Sequence, residues 1–283
     1  MILLQYRVQQ RMFPYFLHMI WFVILGMTAS CRRTPTHGPV KRIVSLSPSL
    51  TQMAFALGIG HHVVGVTKYD QKPESVKQLP RVGGFLDVDI EAIVRLQPDL
   101  VLVSELHAPI ANTLRNVGIN TLELRTRSVA EVFDAVQKLG ARTHTSAQAQ
   151  LILQNLKTAL VPTPCASGSP RTLVTLGHAS GSLAHLVAAG PGTYLDELVR
   201  LCGAQNALPS GPASYPAMSL ERLVATAPDV IVDLSPDDRP VLWDQVPFVR
   251  PPRIHTIVDP DFSTPGIELG RIKNELCRLL CNP

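Results

Sequence analysis

Two glutamates 130 residues apart, Glu91 and Glu221, carry the same neighbours. Each has an aromatic six residues before it, Phe85 and Tyr215, and a Pro-Asp pair seven and eight residues after it, Pro98-Asp99 and Pro228-Asp229. A surface carboxylate can pair bidentately with arginine, which sets register as well as attraction. Such pairs weaken with salt, which suits docking that is made and broken repeatedly. Taken singly, each Glu reads as a first-turn helix residue favoured by the helix dipole, by about 0.3–1 kcal/mol. Its duplication at equivalent places turns the reading towards docking, with one acidic knob on each of two similar halves.

The aromatics suggest a second kind of chemistry. Nine remain after residue 30. Phe55 and Phe133 fall on helical apolar stripes and read as core, and Tyr194 and Phe248 as structural. Tyr69, Phe85, Tyr215 and Phe262 fall beside strand ends, where flat rings can stack on a large flat ligand. A third set is titratable: Glu105, His107, His178 and Asp261. Imidazole suits zinc and iron, which makes His107 a candidate axial ligand to haem iron. No His-rich loop or His-x-His cluster accompanies it, which argues against zinc. Asp261 with His178 is the acid–base pair an exported two-lobed enzyme would need. Against catalysis, the chain has no Gly-x-Ser-x-Gly elbow, phosphate-binding Gly-Lys-Ser loop, His-Glu-x-x-His pair or dinucleotide fingerprint.

These residues are positioned by alternating strands and helices. Strands are expected at 42–46, 63–66, 99–103, 120–124, 171–176, 229–232 and 254–258. Helices are expected at 48–57, 90–96, 108–117, 129–139 and 146–160. The run Asp99-Leu-Val-Leu-Val103 has the continuous apolar character of a parallel strand covered on both faces. Arg171-Thr-Leu-Val-Thr-Leu176 echoes Arg42-Ile-Val-Ser-Leu46 at an offset of 129, so the second half restarts the first. Between them lies a Gln- and Ala-rich helix without Gly or Pro; at 15 residues it would span about 22 Å, enough to bridge two small lobes.

The expected fold is α/β: two lobes with parallel sheets flanked by helices, joined by one long helix. Residues 41–142 and 163–283 are read as lobes and 143–162 as the connection. Ligands of open parallel sheets bind beyond the carboxyl ends of the strands. That rule selects Ser47, Tyr69, Ser104, Glu105 and His107 in the first lobe. In the second it selects Gly177, His178, Ser235, Asp261 and Phe262, with Phe85 and Tyr215 bordering the same crevice.

The first 30 residues set the address. Residues 12–30 lack Asp, Glu, Lys and Arg, Arg7 and Arg11 precede them, and Thr28-Ala-Ser30 ends them, which is the form of an export signal. Cys31 follows directly, as in a bacterial lipoprotein whose Cys is acylated. A signal cleaved elsewhere, or an uncleaved anchor, is the alternative. Residues 31–40 read as a flexible tether. Without residues 1–30 the chain has 24 basic and 22 acidic residues, a near-neutral balance that gives no footing for nucleic acid. Four further cysteines, Cys165, Cys202, Cys277 and Cys281, all lie in the second half. In an exported chain they make disulfides plausible without fixing the pairing, and buried thiols are the alternative.

Together, Arg42-Ile-Val-Ser-Leu-Ser-Pro-Ser, Gly65-Val-Thr-Lys-Tyr69, Val82-Gly-Gly-Phe85 and Glu91-Ala-Ile-Val-Arg-Leu-Gln-Pro-Asp-Leu-Val resemble the substrate-binding proteins of ABC importers for cobalamin, iron-siderophores and haem. The resemblance runs over residues 41–281 and is nearest to the cobalamin-binding type. It implies two α/β lobes on one rigid helix (class III), ligand held between them, and delivery to a permease dimer with its ATPases. It implies a monomer in the periplasm or at the cell surface, touching membrane only through a lipid anchor or signal segment. Glu91 and Glu221 match the permease-docking positions, and Cys202 and Cys277 match the C-terminal-lobe disulfide. The cobalamin type often presents Trp in the crevice, whereas the only Trp after residue 30 here is Trp243. Haem or a ferric siderophore is the alternative cargo; no resident cofactor or metal is implied.

Overall fold

The computed structural model describes residues 38–165, 168–177, 182–234 and 243–281. The apolar N-terminal stretch, Cys31, the tether up to residue 37, His178 and Ser235 lie outside the described residues. Among the described residues no helix is long and apolar enough to cross a membrane.

Strands β1 (Ile43–Ser45), β2 (Val63–Gly65), β3 (Leu100–Val103) and β4 (Thr121–Glu123) form a parallel sheet in the order β2-β1-β3-β4. The central β1 and β3 are buried throughout; β3 is an unbroken apolar run, and in β1 the buried Ser45 hydroxyl donates to Ser47 O. Helices α1 (Pro48–Ala56), α2 (Ile90–Arg95), α3 (Ala108–Asn116) and α4 (Val129–Arg142) belong to this half. After α5 (Ser146–Ala159) come β5 (Arg171–Leu176), β6 (Val187–Ala188), β7 (Gln205–Asn206), β8 (Val230–Leu234) and β9 (Arg253–Ile257), with α6 (Tyr194–Leu201), α7 (Leu220–Ala225) and α8 (Leu269–Cys281). The second sheet runs β6-β5-β8-β9, with β7 also on β5, and only β6 is antiparallel. Each sheet packs apolar clusters on both faces.

The repeat has an atomic explanation. Asp89 caps α2 by accepting from the Ala92 N–H at 2.8 Å, and Ser219 caps α7 by accepting from the Arg222 N–H at 3.2 Å. Each helix ends in a left-handed residue, Gln97 (φ 47°) and Ala227 (φ 41°), directly before the proline. The following Asp carboxylate then ties off the start of the neighbouring strand. Asp99 Oδ2 accepts from the Arg42 N–H, and Asp229 Oδ2 from the Arg171 N–H, both at 2.9 Å. Even the arginines match: the Arg42 side chain donates to Leu96 O, and the Arg171 side chain to Thr226 O. The Pro-Asp pair is thus a helix-to-strand joint.

The connection between the sheets is α5, of 14 residues and about 21 Å. Ala149 near its start enters the first sheet's core, Leu156 near its end enters the second's, and Ile152 packs against both. It does not work alone, because α4 lies beside it and divides its apolar face in the same way. Val132 of α4 joins the second core, whereas Ala135, Val136 and Leu139 join the first. The contacts are close at both ends of α5. A Cβ on Gly140 would stand 2.6 Å from Ala149 Cβ, and one on Gly270 of α8 would stand 2.5 Å from Ala159 Cβ. Glycine at these two places lets the helices approach backbone to backbone.

The second half also holds both disulfides. Cys202, just after α6, pairs with Cys277 in α8, and Cys165 pairs with Cys281 at the end of α8. The segment entering the second half lies beside the first bridge, since the Cys165 N–H donates to Cys202 O at 3.1 Å.

Candidate functional site

A cleft of about 660 Å³ opens between the carboxyl ends of the two sheets. Its size falls within the usual range for small-molecule sites, about 300–1,000 Å³. Ser47–Ser49, Tyr69, Phe85, Glu105, Thr126 and Arg127 line it from the first half; Gly177, Tyr194, Tyr215, Asp259 and Ser263–Pro265 line it from the second. Backbone and side chains cross between the halves at two places. On one side the Tyr194 N–H donates to Arg127 O at 2.7 Å, and the Val129 N–H to Glu197 Oε2 at 2.9 Å. On the other, Lys72 Nζ donates to Asp261 Oδ2 at 2.7 Å, and Gln52 Nε2 to Asp261 Oδ1 at 3.2 Å.

Of the residues expected from sequence, Ser47, Tyr69, Phe85, Ser104, Glu105, Gly177 and Tyr215 line the cleft. Tyr69 is half exposed, at 53 %. Burial pushes the Tyr215 phenol up to about 12, and the Glu105 charge adds to the effect, so Tyr215 stays protonated and neutral at physiological pH.

Three expected residues are placed differently. His107 is fully buried. Its Nδ1 accepts from the Ser104 N–H at 3.1 Å, which leaves Nε2 to donate to Phe85 O at 2.7 Å. The rings of His107 and Phe85 meet edge to face at 4.7 Å. Burial lowers the imidazole pKa, against the opposing pull of Phe85 O and Glu105. Both nitrogens are therefore engaged, and His107 positions Phe85 instead of facing the cleft. Phe262 is core: a short turn, Pro260–Ser263, capped by Asp259, folds it inward, and Tyr194 donates its hydroxyl to Phe262 O. Asp261 has a 5 % exposed side chain, held by Lys72, Gln52 and Arg271. Burial opposes its charge, but the bonds from Lys72 and Gln52 and the Lys72 and Arg271 charges outweigh it and hold its pKa below the ordinary value. In each case a three- or four-residue turn after the strand reversed the direction expected from strand ends.

Sequence reading missed Arg127 and Asp259. Arg127 follows β4, and the rule applied to the other strand ends would have found it had it been extended to the strand at 120–124. Arg127 is the only Lys, Arg or His among the described lining residues. Its guanidinium is held by Glu131, at 2.8 Å from NH2 to Oε1, and lies 3.5 Å from Glu105 Oε1. Glu105 Oε2 is buried with no hydrogen-bond partner among the described residues. Among the described residues no three His, Cys, Asp or Glu side chains gather to hold a metal ion.

Glu91 and Glu221 lie away from the cleft, each in the first turn of its helix. The Glu91 side chain is 90 % exposed, with Arg95 at 3.8 Å. Glu221 is also exposed, and its own N–H and the Ser219 hydroxyl lower its pKa. Each repeat therefore sends its aromatic into the cleft and its glutamate to the surface.

The family model described as periplasmic binding protein matches residues 43–241. A Bacillus subtilis (strain 168) protein named as an uncharacterized ABC transporter substrate-binding lipoprotein, YvrC, is 28 % identical over 236 residues, covering 79 % of this chain and 74 % of that one. A protein of Vibrio cholerae serotype O1 (strain O395) named vitamin B12-binding protein is 27 % identical over 198 residues, 68 % of this chain and 70 % of that one. Among solved structures, a periplasmic haem-binding protein from Pseudomonas aeruginosa superposes with a TM-score of 0.72 at 24 % identity, over 86 % of this chain and 93 % of that one. The duplicated helix-to-strand joint, the cleft between two α/β halves and the matched family model lead to one conclusion: the chain belongs to the periplasmic binding protein family, as an exported, non-catalytic solute-binding protein of the ABC-importer kind with the class III fold.

Proposed function

We propose that the ligand is cobalamin or a related corrinoid, held between a lobe of residues 41–142 and one of residues 163–283 on the connection at 143–162. The observation that carries this reading is the charge of the cleft. Its one described cation, Arg127, is already shared by Glu131 and Glu105, and Glu105 Oε2 lacks a donor. A macrocycle fringed with amides offers N–H donors to such a wall, whereas propionates or acidic siderophores need an uncommitted cation. Phe85 and Tyr215 supply apolar faces from opposite halves. The vitamin B12-binding name of the Vibrio relative agrees.

Calorimetry and visible spectra with cyanocobalamin, haemin and a ferric siderophore test the reading. Cyanocobalamin is expected to bind most tightly and to raise the melting temperature; tighter binding of haemin or a siderophore would end it. The haem alternative retains one feature, the half-exposed Tyr69 phenol, since tyrosine can ligate haem iron.

In the same reading Glu91 and Glu221 dock the protein, as a monomer, on arginines of a permease dimer, and Cys31 is lipidated. The lipoprotein name of the Bacillus relative agrees with the latter. Replacing both glutamates by alanine should impair uptake and leave ligand affinity unchanged. A loss of affinity with normal uptake would refute the docking role.

A further inference from the structure

Glu105 occupies the short turn Glu105–His107 directly after β3 and lines the cleft. As a simple ion-pair partner of Arg127 it is poorly used. The 3.5 Å separation from the guanidinium is long, and Glu131 takes the better contacts: 2.8 Å to Arg127 NH2 and 2.9 Å to the Arg127 N–H. Two carboxylates thus share one guanidinium, and the excess negative charge falls on the cleft side. The other described lining carboxylate is compensated, because Asp259 meets Arg271 at 2.9 Å and Lys72 at 3.8 Å. The Glu105 charge also reaches the opposite half, where it adds to the elevation of the Tyr215 pKa. A buried carboxylate oxygen without a donor costs stability, and an N–H supplied by the occupant would satisfy it. The broad terminal torsion of glutamate lets either oxygen turn to the cleft.

We propose that Glu105 is a charge filter: its carboxylate selects ligands that present N–H donors at this end of the cleft and rejects ligands that present carboxylates there. The assignment deepens the corrinoid reading and rests on the cleft being the binding site. Removing the charge lessens the repulsion an anion meets beside Arg127, while Glu131 keeps its hold on the guanidinium.

The experiment compares wild-type protein with the isosteric Glu105→Gln variant by calorimetry, using cyanocobalamin, whose fringe carries amides, and haemin, which carries two propionates. The variant should bind cyanocobalamin about tenfold more weakly and haemin about tenfold more tightly, shifting their affinity ratio about a hundredfold. Glu105→Asp, which keeps the charge, should retain the wild-type ranking. An unchanged ratio in Glu105→Gln, with a wild-type melting curve, overturns the filter while leaving the corrinoid reading intact. A wild-type protein that prefers haemin overturns the corrinoid reading instead, and one that binds neither compound sinks both.

Discussion

The two halves share a framework and differ in how it is secured. In both, a capped short helix, a left-handed residue, a proline and a strand-starting aspartate come in the same order, and both aspartates accept the N–H of an arginine that opens the neighbouring strand. The first half contains no cysteine after Cys31, and its four-stranded parallel sheet carries apolar clusters on both faces. The second has a two-residue antiparallel edge strand, β6, and two disulfides fastening α8 to the segment around Cys165 and Cys202. The same joint is therefore compatible with two kinds of stabilisation, and the comparison can be pressed experimentally.

The largest expected effect is on the second half. Replacing Cys202 and Cys277 together by alanine should cost about 2–5 kcal/mol. Urea unfolding followed by hydrogen exchange should show the loss concentrated in α6 and α8, with β1 and β3 still protected until global unfolding. Uniform loss of protection would mean that the halves unfold as one unit and that the contrast has no energetic content.

Next come the two glycines that let α4, α5 and α8 approach. Gly140→Val and Gly270→Val each insert side-chain volume where even a Cβ would stand 2.6 or 2.5 Å from a neighbouring Cβ, and each should cost about 1–3 kcal/mol by forcing the helices apart. Denaturation midpoints within error of wild type would show that the helices move freely and that the connection is not a tight one.

The cleft aromatics give a smaller and more local contrast. Phe85→Ala and Tyr215→Ala should each weaken ligand binding about tenfold, or about 1.4 kcal/mol. Because His107 holds the Phe85 backbone, His107→Ala should couple to Phe85→Ala in a double-mutant cycle and add independently to Tyr215→Ala. Equal coupling to both would remove the positioning role assigned to His107.

The smallest effect concerns one of the two contacts that join the halves. The folded pKa of Asp261 is lowered, so its clasp with Lys72 and Gln52 contributes stability above the unfolded carboxylate value of about 4 and loses it as pH falls below that. Lys72 is about half exposed, which limits its share to about 0.2–1 kcal/mol. The stability difference between wild type and Lys72→Met should therefore shrink between pH 7 and pH 3; a pH-independent difference would contradict the clasp.

Much of the fold was legible because it is written in local patterns. The apolar runs of β3 and β8, Pro48 at the start of α1 and Asp89 before α2 mark elements by rules that act over a few residues. Of the cleft, the residues at strand ends and before the repeated helices were legible for the same reason. The direction of a side chain one turn further on was not. Asp259 capping a turn sends Phe262 into the core, and the turn from Ser104 tucks His107 beneath Phe85. Both outcomes depend on what lies above and below the loop.

By itself, then, the sequence determined the duplicated framework, the family and the two surface glutamates, because periodicity, capping and repetition are properties of neighbouring residues. Tertiary structure alone decided that Cys165 meets Cys281, that α4 shares the connection with α5, and that Arg127 is spoken for by Glu131 while Glu105 keeps an unpartnered oxygen. Those facts depend on groups from separate elements arriving within a few ångströms of one another, and only packing sets such distances.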